Sequence, residues 1–367
     1  MKIICQKDLL LQYINIVNKA VSSRTTLPIL ECILLSVDEK GFFLTGNDLE
    51  LGIKTAPIES EIIAHGEVAI EAKLFNEIVR RLSGETVTLS CDEKFAVTIQ
   101  CGSSEFTIMG QSGDDFTAPT EVAQEQAYVM KQNDLRNMIR QTIFSVAQDN
   151  AKQVLTGELF ECREDTIQIV SVDGYRISFR KNELLKSCGA NNIIVPGKAL
   201  LELNKILSQE EEDLVSIYVT DKHVLFDLGI ATVVSRLING DFINYSQSFS
   251  DDFKTSVVTD RNLLIQSLER ASLVSRDNRK TPVRLQINSN SLVITAKSDM
   301  GTAYEDILID MEGEELSIAF NPRYLIEALR AIDDEQVKIH LTASLSPCTI
   351  LPVEGDSYKY LILPLRM

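Results

Sequence analysis

The strongest constraint on this chain is that it repeats itself. Val68–Leu82, Ile193–Leu207 and Leu316–Ile332 each read as a short strand running into an amphipathic helix. Placed in register, Lys73, Lys198 and Arg323 coincide at a spacing of 125 residues, and seven residues on Arg80, Lys205 and Arg330 coincide as well. An earlier set of helical stretches, Asp8–Ala20, Asp134–Val146 and Asn262–Val274, recurs at spacings of 126 and 128. A chain of 367 residues with this periodicity is expected to build three similar modules. Alternating apolar patterns follow the helices, such as Val87/Leu89, then a turn at Asp92-Glu93-Lys94, then Phe95/Val97/Ile99. Ile217/Val219, the turn Asp221-Lys222-His223, Val224/Phe226, Leu292/Ile294 and Val337/Ile339/Leu341 continue the style. Each module is therefore an α+β unit of two helices and two antiparallel sheet segments. The expected spans are 1–124, 125–251 and 252–367, divided at the polar stretches Ala123–Gln126 and Phe249–Lys254.

Charge is segregated by element. The net charge is −17, which taken alone argues against nucleic acid. Across the expected helices 7–20, 72–83, 134–145, 197–207, 261–271 and 322–332, however, 13 Lys and Arg face 6 Asp and Glu, a balance of +7. That leaves −24 for everything else. Residues seven apart lie two turns apart, about 10.5 Å, on nearly one helix face. Lys73/Arg80, Lys198/Lys205 and Arg323/Arg330 thus form stripes, and Arg136 and Arg140 play the same part in the second module. Leu74, Ile78 and Leu82 are expected to be buried, as are Leu9, Leu10, Tyr13 and Val17 in the first helix, with Gln12, Asn15 and Lys19 exposed. Basic helices on an acidic body suit a duplex phosphate backbone held without base readout. The acidic run Glu210–Asp213 reads as a solvated turn.

Three segments carry a family resemblance: Arg24-Thr25-Thr26-Leu27-Pro28-Ile29-Leu30, the turn Asp173-Gly174-Tyr175-Arg176, and the terminal Leu363-Pro364-Leu365-Arg366-Met367. With the threefold repeat, the chain resembles the bacterial sliding clamps, the beta subunits of DNA polymerase III, along its full length. The resemblance implies three clamp domains, each with two helices facing a central hole and antiparallel sheets outside, closing as a head-to-tail homodimeric ring. It implies a processivity factor that encircles duplex DNA and tethers the polymerase III alpha subunit. Other polymerases, repair proteins and the clamp loader would bind through short linear motifs.

Residue by residue, the resemblance puts Arg24, Gln148 and Asp149 on DNA-touching loops and the helix cations on the inner surface. A partner-peptide cleft would be made by Leu155, Val172, Gly174, Tyr175, Arg176, Ile177, Ile243, Leu361, Leu363, Pro364, Leu365 and Arg366. Leu361–Leu365 also reads as a last edge strand that Pro364 terminates. Phe106 and Ile108 would meet Leu273 and Val274 across the subunit interface. The family often has proline where Ile243 stands, a basic-apolar segment at Ser246-Gln247-Ser248 and histidine at Tyr175, which implies a shifted peptide preference.

Other chemistry finds little support. Seven scattered cysteines form no CxxC and lie far in sequence from His65, His223 and His340, so neither a disulfide framework nor a zinc site is expected. No nucleotide-binding or zinc-protease motif occurs, and no cofactor is expected. Asp114-Asp115, Asp251-Asp252 and Asp333-Asp334 read as solvated turns or caps and not as a nuclease metal site. A scaffold that binds only proteins is the rival reading. With no secretory segment and no apolar run of about 18–20 residues, a cytoplasmic location is expected.

Overall fold

The computed structural model describes residues 1–22, 25–250, 252–275 and 282–366. Arg24, Asp251 and Met367 lie outside the described residues. Within them, six α-helices, α1 (Lys7–Val17), α2 (Ala72–Arg81), α3 (Gln132–Thr142), α4 (Gly197–Asn204), α5 (Arg261–Ser272) and α6 (Pro322–Ala331), alternate with 26 strands. The helices fall where the repeat puts them, and the last turns of the first and third tighten into 3₁₀ geometry at Asn18–Ala20 and Ile143–Ser145.

Two compact units emerge. One comprises Met1–Leu135, Leu185–Cys188 and Lys198–Leu237. Its five-stranded antiparallel sheet runs Ser60–Ala64, Lys2–Gln6, Thr86–Cys91, Ala96–Cys101, Ser104–Met109. Its eight-stranded sheet runs Tyr128–Lys131, Leu214–Val219, His223–Asp227, Ala231–Arg236, Leu51–Thr55, Gly41–Asn47, Cys32–Asp38, Gly66–Glu71. Ala231 sits opposite Thr55, so strands on both sides of residue 124 share one ladder. Glu210–Asp213 stands exposed after α4, as a solvated turn should.

The other unit comprises Arg136–Leu184, Gly189–Gly197 and Ile238–Met367. Its nine-stranded sheet runs Asn191–Pro196, Gly157–Arg163, Thr166–Val172, Arg176–Glu183, Tyr358–Ile362, Cys348–Leu351, Gln336–Leu341, Thr255–Asp260, Asp310–Gly313. A four-stranded sheet runs Gly301–Leu308, Ser291–Ser298, Val283–Ile287, Leu316–Phe320. Here Arg176 sits opposite Ile362, again joining two repeats in one ladder. This corrects the reading of the C-terminal strand as an edge: Tyr358–Ile362 is paired on both sides, and Leu363 N–H still donates to the Tyr175 carbonyl at 2.9 Å.

Packing follows the helical period, with exceptions. In α2 the buried side chains are Ala72, Phe75, Ile78 and Val79, and Leu82 is buried just beyond. Leu74 is 42% exposed, contrary to expectation, because it lies one residue from Lys73 and Phe75 takes the core position. In α1, Leu10, Ile14, Ile16 and Val17 are buried while Leu9 and Tyr13 are half-buried, as is Lys19 in the turn beyond. Phe95 also departs from the strand reading. It has φ +63° and closes a turn in which the Asp92 carboxylate accepts from the N–H groups of Lys94 and Ala96, each at 2.9 Å. His223 opens a strand instead of closing a turn. Helix α6 is capped by Asn321, which accepts from Arg323 N–H at 3.1 Å, and starts on Pro322.

Candidate nucleic-acid interface and peptide cleft

Lys73, Arg80, Lys198, Lys205, Arg323 and Arg330 all stand exposed, while Arg136 and Arg140 are half-buried. Most are answered by a carboxylate. Arg80 meets Glu77 at 2.7 Å, Lys205 meets Glu202 at 2.7 Å, Arg323 meets Glu327 at 2.7 Å and Arg330 meets Glu269 at 2.6 Å. Lys198 reaches Asp48 at 3.5 Å. Arg140 pairs with Asp333 at 2.6 Å, and Gln141 donates to the same carboxylate at 2.9 Å. Asp333 and its neighbour Asp334, which accepts from Tyr358 at 2.8 Å, are exposed just past α6 as expected and also tie neighbouring elements together. For Lys73 and Arg136 there is no ion pair among the described residues. Gln148 and Asp149 are exposed in the segment after α3.

The pairing exposes a signal the sequence carried and the charge count passed over. Glu77, Glu202 and Glu327 are themselves spaced by 125 residues. Each repeat thus places one carboxylate between its two cations, on the same stripe. Exposed pairs of this kind contribute about 0–1 kcal/mol, so a phosphate can displace them at little cost.

Strand parity builds the cleft. Along Thr166–Val172 and Arg176–Glu183, successive side chains alternate between two sheet faces. Val170, Val172, Ile177 and Phe179 share a face with Leu159 and Leu361, and there they cluster with Leu155, Ile194 and Tyr245. Ile243, Phe242 and Phe249 are half-buried against them. Five of the expected cleft residues, Leu155, Val172, Ile177, Ile243 and Leu361, are thereby brought into one apolar cluster. Phe242, Tyr245 and Phe249 belong to it as well and were missed, because a loop between strands has no period to betray it. Tyr245 donates a short hydrogen bond to the buried Glu161. Beside the cluster lies a cavity of about 370 Å³ bordered by Glu161, Arg163 and the loop through Gly240–Ser246.

Gly174 and Tyr175 are exposed in the turn between Thr166–Val172 and Arg176–Glu183, and Gly174 takes φ +89°, the conformation that calls for glycine there. Leu363 is 39% exposed, Pro364 and Leu365 are half-buried and Arg366 is exposed. The Leu365 N–H donates to the Ala319 carbonyl at 2.8 Å.

Arg176 belongs to the opposite face. It is 6% exposed and every guanidinium nitrogen is engaged: Nε donates to Asp173 at 2.9 Å, one terminal nitrogen to Glu327 at 2.5 Å, the other to the Phe144 carbonyl at 2.5 Å. The Phe144 and Tyr324 rings lie 5.0 and 4.6 Å from the guanidinium. Burial pushes the Glu327 carboxyl up, but hydrogen bonds and charge from Arg323 and Arg176 outweigh it and hold the group below its ordinary range. Glu158 shows the contrary case. It is fully buried with both carboxylate oxygens lacking a hydrogen-bond partner among the described residues, and burial pushes its pKa up to about 8 despite Thr142 beside it.

The expected interface residues sit on accessible elements. Phe106 is 43% exposed and Ile108 half-buried on Ser104–Met109, an edge of the five-stranded sheet. Leu273 is 51% exposed, while Val274 packs partly against the core around Leu268 and Ile294. None of the seven cysteines is in a disulfide, and burial pushes the Cys5 and Cys32 thiols up to about 12 and 11. Among the described residues no group of three His, Cys, Asp or Glu could hold a metal ion, and no helix is long and apolar enough to cross a membrane.

Comparison with known proteins places these features in a family. The N-terminal, central and C-terminal domains of the DNA polymerase III beta subunit match residues 1–120, 129–244 and 247–366. The chain is 33% identical to the beta sliding clamp of Halalkalibacterium halodurans over 100% of both chains. To that of Staphylococcus aureus it is 32% identical, over 100% of this chain and 99% of the other. A crystal structure of a putative DNA polymerase III beta subunit from Eubacterium rectale superposes with a TM-score of 0.96 at 40% identity, covering 100% of each chain. The DNA polymerase sliding clamp from Bacillus subtilis gives 0.97 at 31%, covering 100% of this chain and 99% of that one. The chain belongs to the bacterial DNA polymerase III beta subunits: it is a DNA sliding clamp, a processivity factor of replication and not an enzyme.

Proposed function

We propose that two copies close head to tail into a ring, with their helices around a hole that duplex DNA threads. The recurrence of exposed cations at fixed repeat positions carries this reading: only a surface built of equivalent modules has reason to present the same two charges each time. The outer edges of Ser104–Met109 and Gly301–Leu308 have no strand partner among the described residues, which suits edge-to-edge closure between copies. Phe106, Ile108, Leu273 and Val274 would then be buried. The modules 1–124, 125–251 and 252–367 would act as three rotated units, although the sheets run continuously past residues 124 and 251. Topology holds the DNA, so contacts stay weak and sliding remains possible. The ring acts in the cytoplasm.

The apolar cluster of Leu155, Val172, Ile177 and Leu361, rimmed by Tyr175 and Leu363, would take Leu and Phe anchors of short motifs. Such motifs would come from the polymerase alpha subunit, the clamp loader, other polymerases and repair proteins. Reversing the charge of Lys198, Lys205, Arg323 and Arg330 together should lower DNA association and flatten its salt dependence while the dimer stays folded. An unchanged salt slope contradicts phosphate contact. Deleting Leu365–Met367 should abolish binding of a polymerase-derived peptide and spare DNA association. Normal peptide binding by the truncated chain contradicts the cleft.

A further inference from the structure

One side chain of α6 touches both proposed sites. Glu327 accepts from Arg323 on one carboxylate oxygen at 2.7 Å and from Arg176 on the other at 2.5 Å. Arg323 is exposed on the cationic stripe, whereas Arg176 is buried beneath the turn that presents Tyr175. The same Arg176 grips Asp173, whose other carboxylate oxygen accepts from the N–H groups of Tyr175 and Arg176 at 2.9 and 3.1 Å. Tyr175 in turn stacks on Tyr324 of α6 at 6.0 Å. A chain of charge-assisted hydrogen bonds therefore runs from the helix face to the cleft rim.

Among the described residues the other copies lack this link: Glu77 meets only the surface residues Arg80 and Arg81, at 2.7 and 2.8 Å, and the ion pair of Glu202 is with Lys205 alone.

We propose that Glu327 is a positioning residue that couples DNA at Arg323 to peptide at the Tyr175 rim. When a backbone phosphate takes Arg323, Glu327 loses one of its two cations and is left to Arg176 alone. The Arg176 pair then strengthens, the Asp173–Arg176 turn is held more firmly, and the cleft is better organised before the peptide arrives. By linkage, peptide in the cleft raises the affinity of Arg323 for phosphate by the same factor. The released pair is exposed at one end, so the coupling is about twofold to fivefold.

This inference rests on the proposed DNA face and cleft. The test is the Kd of a fluorescent peptide with Leu and Phe anchors on the full-length dimer at low salt, with and without a short duplex. Duplex should tighten the peptide about twofold to fivefold. Arg323→Gln should show the tight value without duplex. Glu327→Gln should bind peptide with one Kd under both conditions, whereas a purely structural Glu327 would weaken both values and preserve their ratio. Lys198→Gln, on the copy without the link, should weaken duplex binding but keep the full duplex effect on the peptide once duplex is saturating. Peptide binding indifferent to duplex and to Arg323→Gln overturns the coupling and leaves the cleft standing; no peptide binding by the unaltered chain overturns both.

Discussion

Helices α2 and α6 occupy equivalent places in the repeat and carry the same pattern of cation, carboxylate and cation, yet their carboxylates live differently. Glu77 is partly exposed and answers two solvated arginines. Glu327 is shared between a solvated arginine and one that is 6% exposed. The second arrangement exists because the nine-stranded sheet brings Arg176 under α6, beside Tyr324. A charge placed by the repeat gains a second, buried partner through tertiary packing. Water screens the α2 pairs, so breaking one costs little; at the α6 network the Arg176 guanidinium is 6% exposed, so its loss leaves partly buried carboxylates uncompensated.

The largest expected effect comes from breaking the buried end. Arg176→Ala strands Asp173, Glu327 and the Phe144 carbonyl, and should cost about 3–5 kcal/mol by urea unfolding. Arg80→Ala on α2 should cost less than about 1 kcal/mol in the same measurement. Equal losses would erase the distinction.

Next is the contrast with Glu158, which shows what a buried carboxylate becomes without cations. Its folded pKa, about 8, lies above that of an unfolded glutamate, so its contribution is fully present at acid pH and falls as pH rises toward 8. Glu158→Gln should gain about 3 kcal/mol on the parent between pH 4 and pH 7 in chemical denaturation. Glu327 runs the other way: its depressed pKa gives stability present above the ordinary carboxylate range and lost as pH falls through the folded value. Glu327→Gln should therefore lose stability against the parent at neutral pH and converge with it in acid, and a parallel profile would contradict its pairing.

Smaller still is the effect on DNA. Glu77→Gln frees Arg80 and Arg81, and should tighten duplex binding about twofold to fivefold. Lys73→Gln should reduce the log–log salt slope by about 0.9 if Lys73 meets one phosphate. An unchanged slope removes Lys73 from the interface.

How much of this was legible in the chain follows from what each feature depends on. Helix positions and the exposed cations came from periodicity, which is local. Leu74 defeated it because one residue on a helix face separates core from solvent. The strand pairings Arg176–Ile362 and Ala231–Thr55 connect residues far apart in sequence, and no local pattern reports them. Arg176 was placed in the cleft by the family resemblance, although strand parity turns it to the opposite face from Ile177. Glu77, Glu202 and Glu327 were legible throughout at their 125-residue spacing, hidden only by counting charge as a sum.

A weakly cationic ring that holds DNA by topology is tested most directly by the lifetime of the protein on nicked circular duplex, after loading by a clamp loader with ATP, before and after the circle is cut. Retention on the intact circle over many minutes and release on linearisation are expected. Loss from the intact circle as fast as from linear duplex would contradict topological holding.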